Sequence, residues 1–343
     1  MPQTFLLRCD ATQDVALGHL RRCLSLVGAL GEQGDSKIGF ACYDDTAAHQ
    51  LLDDAGYTNN WLADLIGTGP DLAETVRIAK DMGADAIILD SYKVSIEYFA
   101  AMKDTGLRTI YFEDMLDTEC AADVVINGLI GAENINYTAP IKLLGPDYLV
   151  LGPDYWDGAP APAPAETGDA TSILITTGGI DHYNLSSRAL AQLNDYEKPL
   201  LIHIVIGQYF DNVKNIEAAI KACRHDVTLH HQPDGIADII QKCQIAVSAG
   251  GITLYELAAF GVATVGIWLW ENQRENVERL GRTGALLPLA YDDGEGFDET
   301  MYGAIKNLLD DPKLCQCLGQ KGRSVIDGSG ARRVADALMN LPG

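Results

Sequence analysis

The sequence predicts an α/β protein built from two doubly wound, Rossmann-like domains, in each of which helices cover both faces of a parallel sheet. Short apolar segments alternate with segments of helical periodicity along the whole chain, as expected for repeated strand–helix units. Residues 158–165 read GAPAPAPA, which forms neither a helix nor an inner strand, and we interpret them as an extended linker. The N-terminal domain would span residues 1–157 and the C-terminal domain residues 166–343, with the last helix a candidate to cross back.

In the first half, apolar residues at helical spacing mark the helices, and short apolar runs mark the strands. Gly56 and Gly83 are expected to end two of the helices, because glycine readily adopts the left-handed conformation that closes a helix. The predicted order is strand 4–8, helix 20–30, strand 37–42, helices 47–55 and 71–82, strand 86–89, helix 96–105, and strands 109–112 and 123–126.

The second half repeats this alternation, with Gly261 as one helix stop. The predicted order is strand 172–176, helix 185–193, strand 200–206, helix 213–223, strand 227–230, helix 236–243, strand 245–248, helix 253–260, strand 263–268, and helices 273–282, 299–309 and 330–340. Two such halves would face each other across a cleft at the carboxyl ends of their strands, where doubly wound folds bind ligands.

Composition limits the partners of this chain. A formal net charge of −23 over 343 residues repels phosphate polymers and anionic membranes, and no apolar run approaches a membrane span, so we expect neither nucleic acid nor a membrane as partner. The eight cysteines are scattered, and we expect them to be reduced packing residues that hold no metal. A cytoplasmic enzyme without a cofactor is the resulting expectation.

The first candidate site begins at a strand end with Arg8 and Asp10 and continues at a helix start with Gly18 and His19. Gly18 would permit a tight turn that brings both segments to one edge of the sheet. The helix dipole in the first turn disfavours an imidazolium, which suits His19 to act as a general base; a capping or packing histidine is the alternative. Asp10 would orient His19, bind a sugar hydroxyl or cap a loop.

The second candidate site follows the apolar strand 245–248. Gly250 and Gly251 allow a ligand to approach the backbone, and the free amides of the following helix start suit a diphosphate. Thr253 would add a hydroxyl donor, and Glu256 would accept hydrogen bonds from the vicinal hydroxyls of a ribose. A capping box formed by Thr253 and Glu256 explains the same spacing.

Another glycine pair, Gly178 and Gly179, follows the first strand of the second half, with Asp181 and Asn184 before the next helix. The pair makes this loop flexible and rich in amides, which suits substrate binding. An ordinary strand–helix turn is the alternative.

Two more polar groups follow predicted strands. Asn272 and Gln273 carry amides that both donate to and accept from sugar hydroxyls, or else cap the next helix. Tyr92, in the segment Asp90-Ser91-Tyr92, would hydrogen-bond the substrate or a phosphate, or be a structural residue.

These residues resemble the motifs of the UDP-sugar hydrolases of pseudaminic acid biosynthesis. The resemblance extends in the same order along nearly the whole chain and rests on Arg8-x-Asp10, Gly18-His19 with Arg22-Cys23, Asp90-x-Tyr92, Glu113-Asp114, Asn127, Leu144-Gly145-Pro146, Thr177-Gly178-Gly179-x-Asp181-x-x-Asn184, Ala249-Gly250-Gly251 with Glu256, and Asn272-Gln273. The segment around Gly250 is also similar to a wider group of MurG-like glycosyltransferases.

The resemblance implies a GT-B fold and a metal-independent reaction in which water removes UDP from a 2,4-diacetamido-2,4,6-trideoxyhexose with inversion at the anomeric carbon. It implies that His19 is the general base, that residues near Gly250 and Gly251 hold the diphosphate, and that Glu256 binds the ribose. Residues 272–273 would bind the sugar or phosphate side.

The sequence therefore predicts a UDP-sugar hydrolase with His19, Asp10 and Tyr92 as catalytic candidates. Its partner would be a small-molecule UDP-sugar, and a nonulosonate synthase would be only a pathway neighbour. A glycosyltransferase and a non-catalytic nucleotide-sugar-binding protein are the alternatives. Cys9, residues 16–17 and Ile252 depart from the family's usual residues, so the identity of the sugar stays open.

Overall fold

The computed structural model describes residues 3–12, 17–115, 120–158, 170–207, 210, 212–294 and 296–341, apart from the side chains of Ala47 and Asn272. Residues 159–165 of the expected linker and Ala16 lie outside the described residues. The chain forms two compact units, the first comprising Met1–Trp156 with Gly328–Gly343 and the second Asp157–Asp327. The sequence extended the second domain to residue 343, with the last helix as a possible exception, and in the structure that helix belongs to the first unit.

The first unit holds one parallel sheet with helices on both faces. Its strands and helices are β1 Gln3–Cys9, α1 Gly18–Gln33, β2 Ser36–Tyr43, α2 Thr46–Asp54, β3 Asn59–Leu62, α3 Gly69–Met82, β4 Ala86–Asp90, α4 Ile96–Lys103, β5 Arg108–Phe112, β6 Val124–Asn127, β7 Ile141–Leu144 and, from the end of the chain, α12 Gly330–Met339. The strand order is β3-β2-β1-β4-β5-β6-β7. The order reverses between β1 and β4, which makes their carboxyl ends a topological switch point.

Two buried apolar clusters pack against this sheet. One joins α1, α2 and α12 to one face through residues such as Leu26, Leu52 and Val334. The other joins α3 and α4 to the opposite face through Ile78 and Phe99. The sheet is therefore a buried middle layer, and its strand ends are where polar side chains can reach solvent.

The return of α12 to the first unit has a local steric reason. A Cβ atom at Gly330 would lie 2.1 Å from the carbonyl oxygen of Leu149, so only glycine lets the helix begin against that backbone. Arg332 then donates to Glu32 of α1 at 2.6 Å, and its guanidinium lies 5.1 Å from the ring centroid of Trp156.

The second unit holds another parallel sheet. Its elements are β8 Thr171–Thr176, α5 Leu185–Leu193, β9 Leu200–Ile206, α6 Val213–Ala222, β10 Asp226–His231, α7 Ala237–Ile240, β11 Ile245–Ala249, α8 Thr253–Phe260, β12 Ala263–Trp268, α9 Glu271–Thr283, β13 Leu287–Ala290, α10 Phe297–Asp310 and α11 Pro312–Val325. The strand order is β10-β9-β8-β11-β12-β13, with the switch point between β8 and β11.

The predicted fold class is confirmed, since each unit is a doubly wound α/β domain with a parallel sheet. The candidate residues after β1, β4, β8 and β11 lie at the switch points of the two sheets. Within the part of the chain that the structure describes, no helix is both long and apolar enough to cross a membrane.

Candidate active site

In the first unit, His19 and Asp90 form a buried hydrogen-bonded pair at the switch point. His19 lies in the first turn of α1 and Asp90 ends β4, and Nδ1 of the imidazole lies 2.5 Å from Oδ1 of the carboxylate. With the carboxylate as acceptor, Nδ1 carries the proton and Nε2 keeps its lone pair. Nε2 has no hydrogen-bond partner among the described residues. This is the arrangement of an oriented general base.

Arg22, one turn after His19 on α1, holds Asp90 from the other side. Its Nε and Nη2 donate to the two Asp90 oxygens at 2.8 and 2.6 Å, and Nη1 and Nη2 donate to Asp114 at 2.9 and 2.7 Å. The guanidinium also lies 4.5 Å from the ring centroid of Phe112. Burial alone would raise the pKa of Asp90, but the charges of Arg22 and of a protonated His19, together with the hydrogen bonds of both residues, outweigh it and hold that pKa at about 2.

The four groups carry one unbalanced negative charge when His19 is neutral, because two carboxylates face one guanidinium. A proton transferred to His19 during a reaction would make the cluster neutral. His19, Asp90 and Asp114 also offer three ligand atoms within 4.8 Å of one another. Arg22 already donates to both carboxylates, so a protein cation uses the oxygens that a metal ion would need.

The loop that carries Asp114 is fixed by a buried polar network. The adjacent residue, Glu113, accepts a hydrogen bond from the Tyr137 hydroxyl at 2.5 Å and another from Nδ2 of Asn127 at 3.2 Å. Oε1 of Glu113 accepts from the amide of Met115 at 2.6 Å. These contacts position Asp114 and, through it, Arg22. The sequence motifs contained Glu113, Asp114 and Asn127 but not Tyr137, and the contact between Glu113 and Asn127 depends on strands β5 and β6 lying side by side.

Tyr92 lies beside His19 at the mouth of this site. Its ring makes an edge contact with the imidazole, with centroids 4.6 Å apart and planes at 72°. The side chain is 54% exposed, which leaves its hydroxyl available to a ligand. The small pocket at His19 is lined by Asp10, Asp90 and Ser91, which the sequence analysis had named, and by four residues that it missed: Thr12, Leu65, Ile66 and Lys93.

Arg8 and Asp10 form a separate buried ion pair, which corrects two expectations from the sequence. The Arg8 guanidinium is fully buried, donates to Asp10 and donates to Asp71 at 2.7 Å, so it points into the protein and not toward a ligand. Asp10 accepts from the amides of Tyr43 and Ile66 at 3.0 and 2.8 Å. Asp90, and not Asp10, therefore orients His19, although Asp10 still lines the pocket.

Gly18 does not make the tight turn that the sequence suggested. It is the first residue of α1, it lacks the positive φ that would require glycine, and a Cβ atom there would meet no atom of the described residues within 4 Å. The missing side chain therefore leaves open space next to His19, where a ligand could approach the helix start.

In the second unit, the loop after β11 presents a helix start without a side-chain cap. Ile252, and not Thr253, occupies the N-cap position of α8, so the capping box is absent. The amides of Gly250, Ile252 and Thr253 have no partner among the described residues. Unpaired amides at a helix start form an anion-binding site, and Glu256 lies one turn further along the same helix.

The two glycines of this loop differ in their surroundings. A Cβ atom at Gly250 would lie 2.8 Å from Cβ of Gln273 and 2.9 Å from Cγ2 of Val277, so this position needs glycine for packing. A Cβ atom at Gly251 would meet no atom within 4 Å in the described part of the chain, so this position leaves room for a ligand. Gln273, in the first turn of α9, thus contacts the loop directly, while its Oε1 accepts from the amide of Leu269 at 3.0 Å.

The loop after β8 is more structural than expected. Gly178 has a φ of +87°, which favours glycine, and Gly179 packs so closely that a Cβ at Gly207 would lie 2.7 Å from its Cα. Asp181 is fully buried and accepts from the first two amides of α5, at 2.8 and 2.9 Å, so it caps this helix and does not face a ligand. Asn184 adopts a φ of 54° and accepts from Asn215 at 2.8 Å.

Two known proteins are similar in sequence to most of this chain. No family model matches the chain. An uncharacterized protein of Methanocaldococcus jannaschii, MJ1062, is 22% identical over 277 residues, which are 78% of this chain but only 56% of that protein. The spore coat polysaccharide biosynthesis protein SpsG of Bacillus subtilis is 26% identical over 275 residues, 78% of this chain and 79% of SpsG.

Among solved structures, MurG of Acinetobacter baumannii superposes with a TM-score of 0.71 at 18% identity, covering 99% of this chain and all of that one. A likeness of this extent at so low an identity concerns the fold alone. Two parallel-sheet α/β units in this arrangement of elements are the GT-B fold, as the sequence resemblance implied.

Proposed function

We propose that this chain hydrolyses a UDP-sugar, releasing UDP from a 2,4-diacetamido-2,4,6-trideoxyhexose by inverting attack of water on the anomeric carbon. The single observation that carries the proposal is the His19–Asp90 pair at a switch point of the sheet, in which Nε2 of His19 has no hydrogen-bond partner among the residues that the structure describes. A nucleotide-sugar-binding protein would have no use for an oriented base.

In this reaction His19 Nε2 takes a proton from water as the water oxygen bonds to the anomeric carbon. The bond from that carbon to the β-phosphate oxygen breaks, and its electron pair leaves with UDP. Asp90 keeps the imidazole in the tautomer that accepts on Nε2, and the net negative charge of the Asp90–Arg22–Asp114 group stabilises the imidazolium that results.

The second unit supplies the nucleotide site in this proposal. The amides of Ile252 and Thr253 would donate to the diphosphate, which stabilises the charge that develops on departing UDP. Glu256 would accept hydrogen bonds from the ribose hydroxyls. The open space at Gly251 would let the phosphates approach the backbone.

The identity of the sugar rests on the resemblance of the motifs to hydrolases of pseudaminic acid biosynthesis. The partial identity to SpsG, named for spore coat polysaccharide biosynthesis, supports a role in making a surface glycan. A glycosyltransferase, in which an acceptor hydroxyl takes the place of water, is the second candidate. The GT-B fold and the similarity of the Gly250 segment to MurG-like glycosyltransferases favour it.

Turnover without an acceptor separates these candidates. The purified chain is incubated with UDP-linked diacetamido-trideoxyhexose and no acceptor, and NMR follows UDP and the first sugar anomer released. A hydrolase releases UDP at a steady rate, and the first anomer is inverted. His19→Asn should lower kcat by about 10²–10⁴ and leave UDP affinity unchanged. Release only after an acceptor is added would replace hydrolysis by transfer, and full activity of His19→Asn would remove this base.

A further inference from the structure

Exposed apolar side chains gather at one edge of the second unit. Within the described part of this unit, four large hydrophobic side chains are exposed: Ile180 at 40%, Leu201 at 39%, Ile252 at 47% and Trp270 at 46%. Three of them lie in loops that directly follow β8, β11 and β12, and only Leu201 lies within a strand. These three adjacent strands end at the amides of the candidate diphosphate site.

Trp270 joins two of these loops. Its ring lies 5.5 Å from that of Tyr183 and 6.2 Å from that of His182, both in the loop after β8. Because β8 and β12 flank β11 in the sheet, these contacts cross the carboxyl end of β11, where the Gly250 loop begins. Tyr183 continues the row to Tyr291, with centroids 4.3 Å apart. The exposed indole is therefore held by neighbouring rings beside the unpaired amides.

An exposed apolar surface next to anion-binding amides suits a ligand with a charged part and an apolar part. A polyhydroxylated hexose would lose hydrogen bonds to water against Ile180, Ile252 and Trp270 and would gain little. A methyl substituent, and the methyl groups of acetamido substituents, would be removed from water and strengthen binding in proportion to the apolar area buried. The exposed side chain of Ile252 also brings an apolar surface to the start of α8.

We propose that Ile180, Ile252 and Trp270 form an apolar rim that selects UDP-sugars carrying methyl and acetamido groups over polyhydroxylated ones. The rim determines specificity, and it rests on the nucleotide site of the proposed function. The second unit would then recognise the sugar as well as bind the nucleotide.

The test measures binding of UDP, UDP-glucose and UDP-linked diacetamido-trideoxyhexose by calorimetry. The His19→Asn chain is the background, so that the ligand stays intact. The diacetamido ligand should bind at least about tenfold more tightly than UDP-glucose. Trp270→Ala and Ile180→Ala should each remove most of this preference and change the affinity for UDP less than about twofold. Leu201→Ala, which removes a similarly exposed side chain from β9, should change neither.

Equal affinity for the two sugar ligands in the parent chain would overturn the proposal of a selective apolar rim. An unchanged preference for the diacetamido ligand in both rim variants would overturn it as well. A loss of UDP affinity in Trp270→Ala as large as the loss for the sugar ligand would assign the indole to the nucleotide and likewise overturn it. Failure of the parent chain to bind UDP at all would instead reject the nucleotide site of the proposed function. Circular dichroism of each variant checks that the chain is folded, and Ile180→Ala keeps the test decisive if Trp270→Ala does not fold.

Discussion

Replacing Asp90 by asparagine separates orientation of His19 from the rest of the site. The asparagine has nearly the same shape, but its amide would donate a proton to Nδ1 of His19 where the carboxylate accepts one at 2.5 Å. The imidazole would then carry its own proton on Nε2 and could not accept one from water. Arg22 would keep its second partner, Asp114, at 2.7 Å.

The expected losses of activity and of stability in Asp90→Asn can both be given a magnitude. Inverting the tautomer of a general base lowers kcat by roughly 10⁴ when the surrounding geometry is kept. The pKa of Asp90 lies at about 2 instead of 3.8, which corresponds to about 2 kcal/mol of stability. Because this pKa is lowered in the folded state, the contribution is present above about pH 4 and is lost as the pH falls through about 2. Asp90→Asn should therefore cost about 2 kcal/mol at neutral pH and unfold with a weaker dependence on pH in this window.

The assay compares Asp90→Asn with Asp114→Asn. The second substitution replaces the other carboxylate that accepts hydrogen bonds from Arg22 and leaves the hydrogen bond between Asp90 and His19 in place. UDP release is followed without an acceptor, urea unfolding is measured from about pH 2 to 7, and imidazole nitrogen shifts report the tautomer of His19. We expect Asp114→Asn to keep the tautomer and most of the activity. Equal loss of activity in the two variants, or an unchanged tautomer in Asp90→Asn, would refute the reasoning.

Three further predictions concern the second unit. Gly250→Ala should cost about 1–3 kcal/mol of stability, because its Cβ would lie 2.8 Å from Cβ of Gln273. Gly251→Ala should instead leave the melting temperature unchanged and weaken UDP binding. Thermal melts and calorimetry distinguish the two variants, and full UDP affinity in Gly251→Ala would contradict the amide site. Glu256→Ala should weaken UDP binding at least about tenfold in calorimetry, and a folded variant with unchanged affinity would exclude the ribose contact. Asp181→Ala should lose about 1–3 kcal/mol in urea unfolding yet keep its UDP affinity, since its carboxylate caps α5; a selective loss of affinity would return it to the ligand site.

Local sequence was sufficient for most of the fold. Gly83 and Gly261 end α3 and α8 in the left-handed conformation, with φ of 64° and 74°, as their positions after apolar helices predict. The sequence also predicted the buried strands β4 and β11, because short apolar runs bounded by polar loops usually form the inner strands of a doubly wound domain.

The elements that were missed depend on other signals. β3 spans Asn59–Leu62, and half of it is asparagine, so its extended conformation comes from pairing with β2 and not from its own pattern. The start of α11 carries a helix-capping signal that apolar periodicity alone does not reveal. Asp311 accepts hydrogen bonds from the amides of Lys313 and Leu314 and precedes a proline in the first turn.

For the candidate site, the sequence by itself determined which residues stand at strand ends and helix starts, because these positions follow from local periodicity. It could not determine which of them meet. Asp10 is nearer to His19 along the chain, yet Asp90, 71 residues away, makes the hydrogen bond. The reason is the sheet order: β4 pairs directly with β1, so Asp90 lies opposite Cys9, while Asp10 turns toward Arg8 and the amides of Tyr43 and Ile66. Hydrogen bonds act over a few ångströms, so only the tertiary pairing of strands decided which carboxylate orients the histidine.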